Sequence, residues 1–153
     1  MASRAKRVLD ELDWRILAIL QADARISFSE LGRQVGLSAP AAIERIRRME
    51  DAGVITGYRL GLDVGKLGYA VEAVVRVSAP EEHCVRLGVL VRTLPGVLES
   101  HRVTGTDRLI LKIAASSVAD LDDILRQLSR YGTATASVIL SSKSRTIAPP
   151  ARP

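Results

Sequence analysis

The second half of the chain repeats one order of sequence patterns, and this repeat constrains the fold more than any other feature. Runs rich in β-branched residues predict strands, and apolar residues at every third or fourth position predict helices. The predicted order is strand 69–77, helix 82–94, strand 97–104, strand 108–115, helix 118–130 and strand 134–142. The sequence strand, helix, strand therefore occurs twice in succession.

Two strand–helix–strand units in tandem predict a four-stranded sheet of ferredoxin-like βαββαβ topology, within an α+β protein. Both helices would cover one face of this sheet, and the opposite face would remain bare. We expect the bare face to be apolar, and an exposed apolar face is typical of a protein that oligomerises.

The first half of the chain has helical rather than alternating periodicity. Apolar residues recur at helical spacing in residues 10–22, and Asp10 can cap this first helix. A second helix begins at Ser27 or Ser29 and ends at Gly36. Only a short turn then separates it from a third helical pattern.

The third helix has an apolar face and a face of small and basic residues. Ser38 can cap it, Pro40 lies in its first turn, and Gly53 ends it. The major groove of DNA, about 12 Å wide, accepts one such helix, so we predict a three-helix, winged-type helix-turn-helix. The side chains expected to face DNA are Ser38, Pro40, Ala41, Glu44, Arg45, Arg47 and Arg48.

A second interpretation of these arginines stays open. A solvated helix face also carries charge, and Arg45 or Arg48 could pair with Glu44, Asp51 or Asp13. The interpretation as a DNA-binding helix rests on the whole combination: three helices, a tight turn, small residues at the start of the third helix and a basic face further along it.

The charge of the chain favours a polyanionic partner. Lys and Arg number 22 against 17 Asp and Glu, which gives a formal net charge of +5. Arg4, Lys6 and Arg7 precede the first helix as a basic arm that could bind backbone phosphates. The alternative is that this arm is simply disordered.

Several other kinds of site lack support in the sequence. The single cysteine, Cys84, cannot form an internal disulfide, and the two histidines have no metal-like spacing. We find no phosphate-binding loop, no catalytic constellation, no apolar run near the ~18 residues of a membrane span and no evident signal peptide. We therefore expect a cytoplasmic protein that is not an enzyme and needs no cofactor or membrane.

These patterns divide the chain into four parts. We expect a helix-turn-helix domain in residues 1–60, a glycine-rich linker in 61–67, a βαββαβ effector-binding and oligomerisation domain in 68–143, and a Pro-rich flexible tail in 144–153.

Residues 9–58 resemble the amino-terminal signature of the Lrp/AsnC feast-or-famine transcriptional regulators. The matching positions are Leu9-Asp10, Asp13, Ile16-Leu17, Asp23, Arg25, Glu30-Leu31, Gly36-Leu37-Ser38, Arg45-Ile46, Gly53, Ile55 and Gly57-Tyr58. The resemblance implies binding to double-stranded DNA by homodimers that assemble further, often into octamers. It also implies that an amino acid or related metabolite binds between dimers, at the loop after the second strand of the sensing domain.

That loop departs from the family pattern in this chain. Arg108 stands where the family often has Asp, and Asp107 lies one place earlier. The resemblance implies effector contacts from Gly105, Thr106, Asp107 and Arg108, and hydroxyls of Thr133, Thr135 and Ser137 could face the same interface. A hairpin turn without a ligand and an ordinary strand surface are the alternatives.

The sequence thus predicts a sequence-specific, oligomeric transcriptional regulator that an amino acid or related metabolite modulates. A ligand-independent protein of the same family that wraps DNA is the main alternative. A small enzyme built on the βαββαβ half would need acid, base or metal-ligating residues that converge on one site, and the sequence offers none.

Overall fold

The computed structural model describes residues 9–142 and Ile147. Among these, residues 9–60 together with Ile147 belong to one compact unit, and residues 61–142 form a second. The basic arm with Arg4, Lys6 and Arg7 lies outside the described residues, as does the tail apart from Ile147.

Three short helices form the first unit, as the helical periodicity predicts. Asp10, Ser27 and Ser38 each cap the helix that follows, because each side-chain oxygen accepts a backbone N–H from the first turn. Ser27, rather than Ser29, is therefore the cap of the second helix. The helices are α1 (Glu11–Ala22), α2 (Phe28–Val35) and α3 (Ala39–Asp51).

One aliphatic core holds the three helices together. Its fully buried side chains come from all three, and they are Ile16, Leu31, Val35, Ala42, Ile46 and Met49. The apolar face of α3 is therefore the buried one, although Ile43 on that face is only half-buried. Residues 55–63, beyond α3, form neither helix nor strand.

The turn between α2 and α3 is tight enough to require glycine at position 32. A Cβ on Gly32 would lie 2.6 Å from the carbonyl oxygen of Leu37, where no real Cβ fits without movement of the backbone. We expect Gly32→Ala to lower the free energy of unfolding by about 1–3 kcal/mol through overpacking. Gly88→Ala is the control: its Cβ meets open space within α4 (residues 84–93), so it should be neutral or stabilising. Urea denaturation of both variants measures the two effects, and equal losses would contradict this explanation.

The second unit has the predicted ferredoxin-like arrangement. Its elements are β1 (Val71–Ser78), α4 (Cys84–Thr93), β2 (Val97–Arg102), β3 (Leu109–Ala115), α5 (Val118–Ser129) and β4 (Thr133–Val138). The sheet has the strand order β2-β3-β1-β4, and all neighbouring strands are antiparallel. The α+β fold class is confirmed. Strands β2 and β4 end earlier than predicted, and one 3-10 turn, Glu81–His83, precedes α4.

The helices cover one face of the sheet, and the core lies between the two layers. Strand residues such as Val75, Leu111 and Ile113 are fully buried there against Leu87 and Leu128 of the helices. Burying such side chains stabilises the unit by about 1.5–3 kcal/mol each.

The other face of the sheet is not the apolar surface that we expected. Charged side chains alternate with apolar ones there, and Lys112 forms an ion pair with Glu72 at 3.0 Å. Val74 lies opposite Lys112 and between these charges. The face is therefore mixed in polarity. Successive side chains of a strand point to opposite faces, so packing against the helices requires apolar residues at only every second position.

Candidate DNA-binding surface and effector loop

The amino-terminal end of α3 is exposed and carries no large or acidic side chain. Ser38 caps the helix by accepting the N–H of Ala41 at 3.4 Å, and Ser38 and Pro40 are both exposed. The first turn has no acidic residue, so the positive end of the helix dipole is not offset locally. Because Pro40 has no N–H and Ser38 already accepts the N–H groups of Ala41 and Ala42, a phosphate group at this end would be attracted mainly by the helix dipole.

Further along α3, Arg47 and Glu44 point into solvent. Both side chains are exposed, and Arg47 forms no ion pair with any residue in the described part of the chain. Its guanidinium group is therefore free to bind a phosphate or the edge of a guanine.

Arg45 and Arg48, in contrast, share one buried carboxylate of α1. Asp13 is fully buried; its oxygens accept hydrogen bonds from Arg45 Nη1 at 2.8 Å and from Arg48 Nη2 at 2.8 Å. Arg45 Nη1 also lies 2.7 Å from Asp10. The ion pair with Asp13, which the sequence left open for Arg45 or Arg48, exists for both arginines.

The two arginines differ in the fraction of the side chain that remains exposed to solvent. The Arg45 side chain is 24% exposed and that of Arg48 is 51% exposed. Arg48 donates to Asp13 through Nη2 only, so its other donors stay accessible from solvent. Asp13 can therefore orient Arg48 while the other donors of Arg48 stay open to a partner, whereas Arg45 joins α1 to α3 through Asp10 and Asp13.

The same network lowers the pKa of Asp10. The chief cause is the hydrogen bond from Arg45, followed by the hydrogen bond from the N–H of Asp13, and this pairing in turn raises the pKa of Arg45. The charged form of Asp10 is therefore favoured in the folded protein.

A pH dependence follows from the lowered pKa of Asp10. The stabilisation is fully present above the ordinary value of 3.8 and is lost as pH falls through the lower folded-state pKa. Because the Asp10 side chain is 52% exposed, the effect should stay below about 1 kcal/mol. Asp10→Asn keeps a capping oxygen but no charge, so its stability should fall less on acidification. Thermal unfolding between about pH 5 and pH 2 measures this difference, and parallel profiles would contradict it.

The predicted effector residues lie in two places, the loop from 103 to 108 and strand β4, and only Thr133 of β4 pairs with Ser78 beside the loop. The loop from 103 to 108 joins β2 to β3, and there Ser78 Oγ donates to Asp107 Oδ1 at 2.8 Å. Gly105 has a φ of 105°, which a residue with a Cβ rarely adopts, so the loop needs glycine at this place. Arg108 lies 3.6 Å from Glu81, which also pairs with Arg102.

The hydroxyls of β4 are only partly brought to this loop. Thr133 lies opposite Ser78 in the sheet, and Ser78 is the residue that donates to Asp107 in the loop. Thr135 and Ser137 lie opposite Arg76 and Val74, and Ser137 is roughly 13 Å along the strand from Thr133. The structure therefore groups Thr133 with the loop and places Ser137 at a distance from it.

Family models match both units of the chain. A model described as the AsnC-type helix-turn-helix domain matches residues 9–50, and one described as the Lrp/AsnC ligand binding domain matches residues 72–148. The chain belongs to the Lrp/AsnC family of transcriptional regulators. It is a DNA-binding regulator rather than an enzyme.

Similar Lrp/AsnC proteins cover nearly the whole chain. An uncharacterised HTH-type transcriptional regulator of Bacillus subtilis, YezC, is 38% identical over 89% of this chain and 96% of its own. The structure of LrpC from the same organism has 34% identity and a TM-score of 0.83, over 89% of this chain and 97% of that one. A regulator from Neisseria meningitidis in complex with L-Met has 27% identity and a TM-score of 0.82, over 93% of this chain and 96% of that one.

Sequence reasoning underestimated one residue of this Lrp/AsnC protein that the structure makes central, and it missed another. Asp13 was considered only as a partner for a single arginine, although a carboxylate within the apolar stripe of α1 already signals a buried, paired charge. Ser78, which binds Asp107, gave no signal, because nothing in a strand sequence reveals what lies across a sheet.

The described residues contain no group of three or more His, Cys, Asp and Glu side chains that could hold a metal ion. No described helix is long and apolar enough to cross a membrane.

Proposed function

We propose that this chain is a sequence-specific regulator whose helix α3 enters the major groove of DNA with the face that carries Arg47. The observation that carries this proposal is that the three arginines of α3 differ in whether they are already bonded within the protein. Arg45 and Arg48 are bonded to Asp13, whereas Arg47 and the end around Ser38 and Pro40 stay open to a partner. Ala41 and Glu44 belong to the same proposed contact face, and DNA would lie in the cytoplasm with the protein.

The test of specificity compares two duplexes at one fixed salt concentration. Sites selected from a random pool should bind far more tightly than a scrambled duplex, by a factor of about 10³ or more. A ratio near one would refute sequence-specific recognition, and it would favour DNA wrapping without sequence preference. Salt must be fixed because phosphate contacts alone change the affinity steeply with ionic strength.

We also propose that the protein is a homodimer that assembles further, into octamers, and that an amino acid or related metabolite binds at the loop 103–108. The Lrp/AsnC ligand binding domain in residues 72–148 and the similar Neisseria regulator bound to L-Met support the effector. In this proposal Asp107 would bind the ligand's ammonium group, and Arg108 its carboxylate. Gly105 and Thr106 would form the loop, and Thr133 is the hydroxyl nearest to it, ahead of Thr135 and Ser137.

The contacts within the loop favour a second candidate, an effector-independent protein that wraps DNA. Asp107 already accepts a hydrogen bond from Ser78, and Arg108 already lies near Glu81. A loop whose charged groups are partnered in this way has less to gain from a ligand.

Thermal unfolding in the presence of each amino acid separates the two candidates. A ligand at a hundred times its Kd should stabilise the protein by about 2.7 kcal/mol, and Asp107→Asn should abolish that shift. Asp123→Asn, an exposed carboxylate of α5, is the matched control and should keep it. If no amino acid shifts the unfolding temperature, the effector-independent candidate is the better one.

A further inference from the structure

The carboxy-terminal segment is hydrogen-bonded to the end of α1 through a single side chain. The amide of Gln21 accepts the backbone N–H of Ile147 at 2.6 Å and donates to its carbonyl oxygen at 3.1 Å. One side-chain amide therefore satisfies both polar groups of one residue, as a neighbouring strand would. The Ile147 side chain itself is 74% exposed, so the contact is made by the backbone.

An open groove lies beside this contact, within the same unit. It has a volume of about 370 Å³, and its lining includes Leu20 and Ala24 at the end of α1 and Phe28 at the start of α2. The lining also includes Tyr58, the acidic Glu50 and the basic side chains Arg25 and Arg47. Two of these side chains are exposed aromatic rings, since Phe28 is 48% and Tyr58 is 51% exposed.

The residues that follow Ile147 have the chemistry that such a groove binds. They read Ala-Pro-Pro-Ala-Arg-Pro, and consecutive prolines favour the polyproline II helix. Proline-rich segments of this form dock in grooves lined by aromatic side chains, at little entropic cost. From Ile147 to Arg152 such a helix spans roughly 15 Å, and Arg152 could reach Glu50, the acidic side chain of the lining.

We propose that the segment from Ile147 onward docks in this groove of its own helix-turn-helix unit, with Gln21 as the anchor. The prolines contact Phe28 and Tyr58, and the Gln21 amide fixes where the segment enters. The groove borders the proposed DNA-contact face of α3, because Arg47 belongs to its lining, although Ser38 and Pro40 do not. No residue of the effector loop lines it.

Chemical crosslinking of paired cysteines in the full chain tests this proposal. Cys84→Ser removes the native thiol, and Ala24→Cys with Ala148→Cys places one thiol at the groove and one after Ile147. A short bifunctional maleimide should join them within one chain at least tenfold faster than it joins Ala119→Cys of α5 with Ala148→Cys. Mass spectrometry identifies the joined peptides, and denaturing gels separate links within a chain from links between chains.

A second pair of variants tests the anchor. Gln21→Ala should slow the crosslink severalfold, whereas Gln127→Ala, the same change in α5, should leave its rate unchanged. Equal crosslinking rates at positions 24 and 119 would overturn the proposal, and so would links formed only between chains. Both substituted glutamines lie on the surface of their helices, so neither change should prevent folding.

Discussion

Asp13→Asn is expected to lower the free energy of unfolding by roughly 3 kcal/mol, because Asp13 is the one fully buried carboxylate in the described part of the chain. Breaking a buried ion pair by removing one partner costs about 3–5 kcal/mol. The lower end applies here because both arginines remain partly solvated, at 24% and 51% exposure. The loss has two sources, since Asp13 binds Arg45 and Arg48 and also accepts the N–H of Asp10 in the capping box of α1.

Asp122→Asn is the matched control for this prediction. Asp122 forms an exposed ion pair with Arg126 one helical turn away, so the same substitution should cost less than about 1 kcal/mol. Urea denaturation at neutral pH measures both changes. Equal, small losses in the two variants would show that the carboxylate of Asp13 does not hold α1 and α3 together.

Arg47→Ala is expected to weaken binding to a selected duplex by about 1–3 kcal/mol while stability stays nearly unchanged. Arg47 is exposed and forms no ion pair in the described part of the chain, so its removal leaves no group unpaired within residues 9–142. Fluorescence anisotropy with a labelled duplex measures the affinity. If Arg47 reads a base, the loss should be confined to one position of the site, and if it binds a phosphate, it should be uniform across sequences.

Two further arginine variants sharpen that result. Arg48→Ala should lose about 1–3 kcal/mol of binding as well, if its free donors read a base, and it should also lose stability because Asp13 keeps only one partner. Arg126→Ala, on α5, is the control and should leave the affinity unchanged. An Arg47→Ala protein that binds like the wild type would remove Arg47 from the proposed contact face.

Much of the fold could be predicted because periodicity reports burial. The three caps Asp10, Ser27 and Ser38 stand directly before apolar helical patterns, and the alternation along Ala73, Val75 and Val77 shows which face of β1 is buried. The polar character of the opposite face was missed, since Glu72 and Lys112 lie far apart in sequence and meet only across the sheet. The last strand was predicted to extend to residue 142, but it ends at Val138. Residues beyond that point still have the composition of a strand, although the register of pairs with β1 stops there.

The candidate sites were harder to predict because charge alone does not tell which partner a side chain has. All three arginines of α3 look alike in the sequence, yet Asp13 binds two of them and leaves Arg47 free. The same holds for Asp107, whose bond to Ser78 depends on the packing of two strands. Contacts of this kind join residues about thirty positions apart, so no local pattern reveals them.

The most direct test of the central claim attaches a DNA-cleaving iron chelate to α3. Glu44→Cys in a Cys84→Ser background places the chelate on the exposed face of that helix, and Asp122→Cys in the same background places it on α5. The chelate at position 44 should cut the duplex within the site that the protein protects, and the one at position 122 should cut weakly or elsewhere. No cleavage from position 44, by a protein that still binds the duplex, would show that α3 does not lie in the groove.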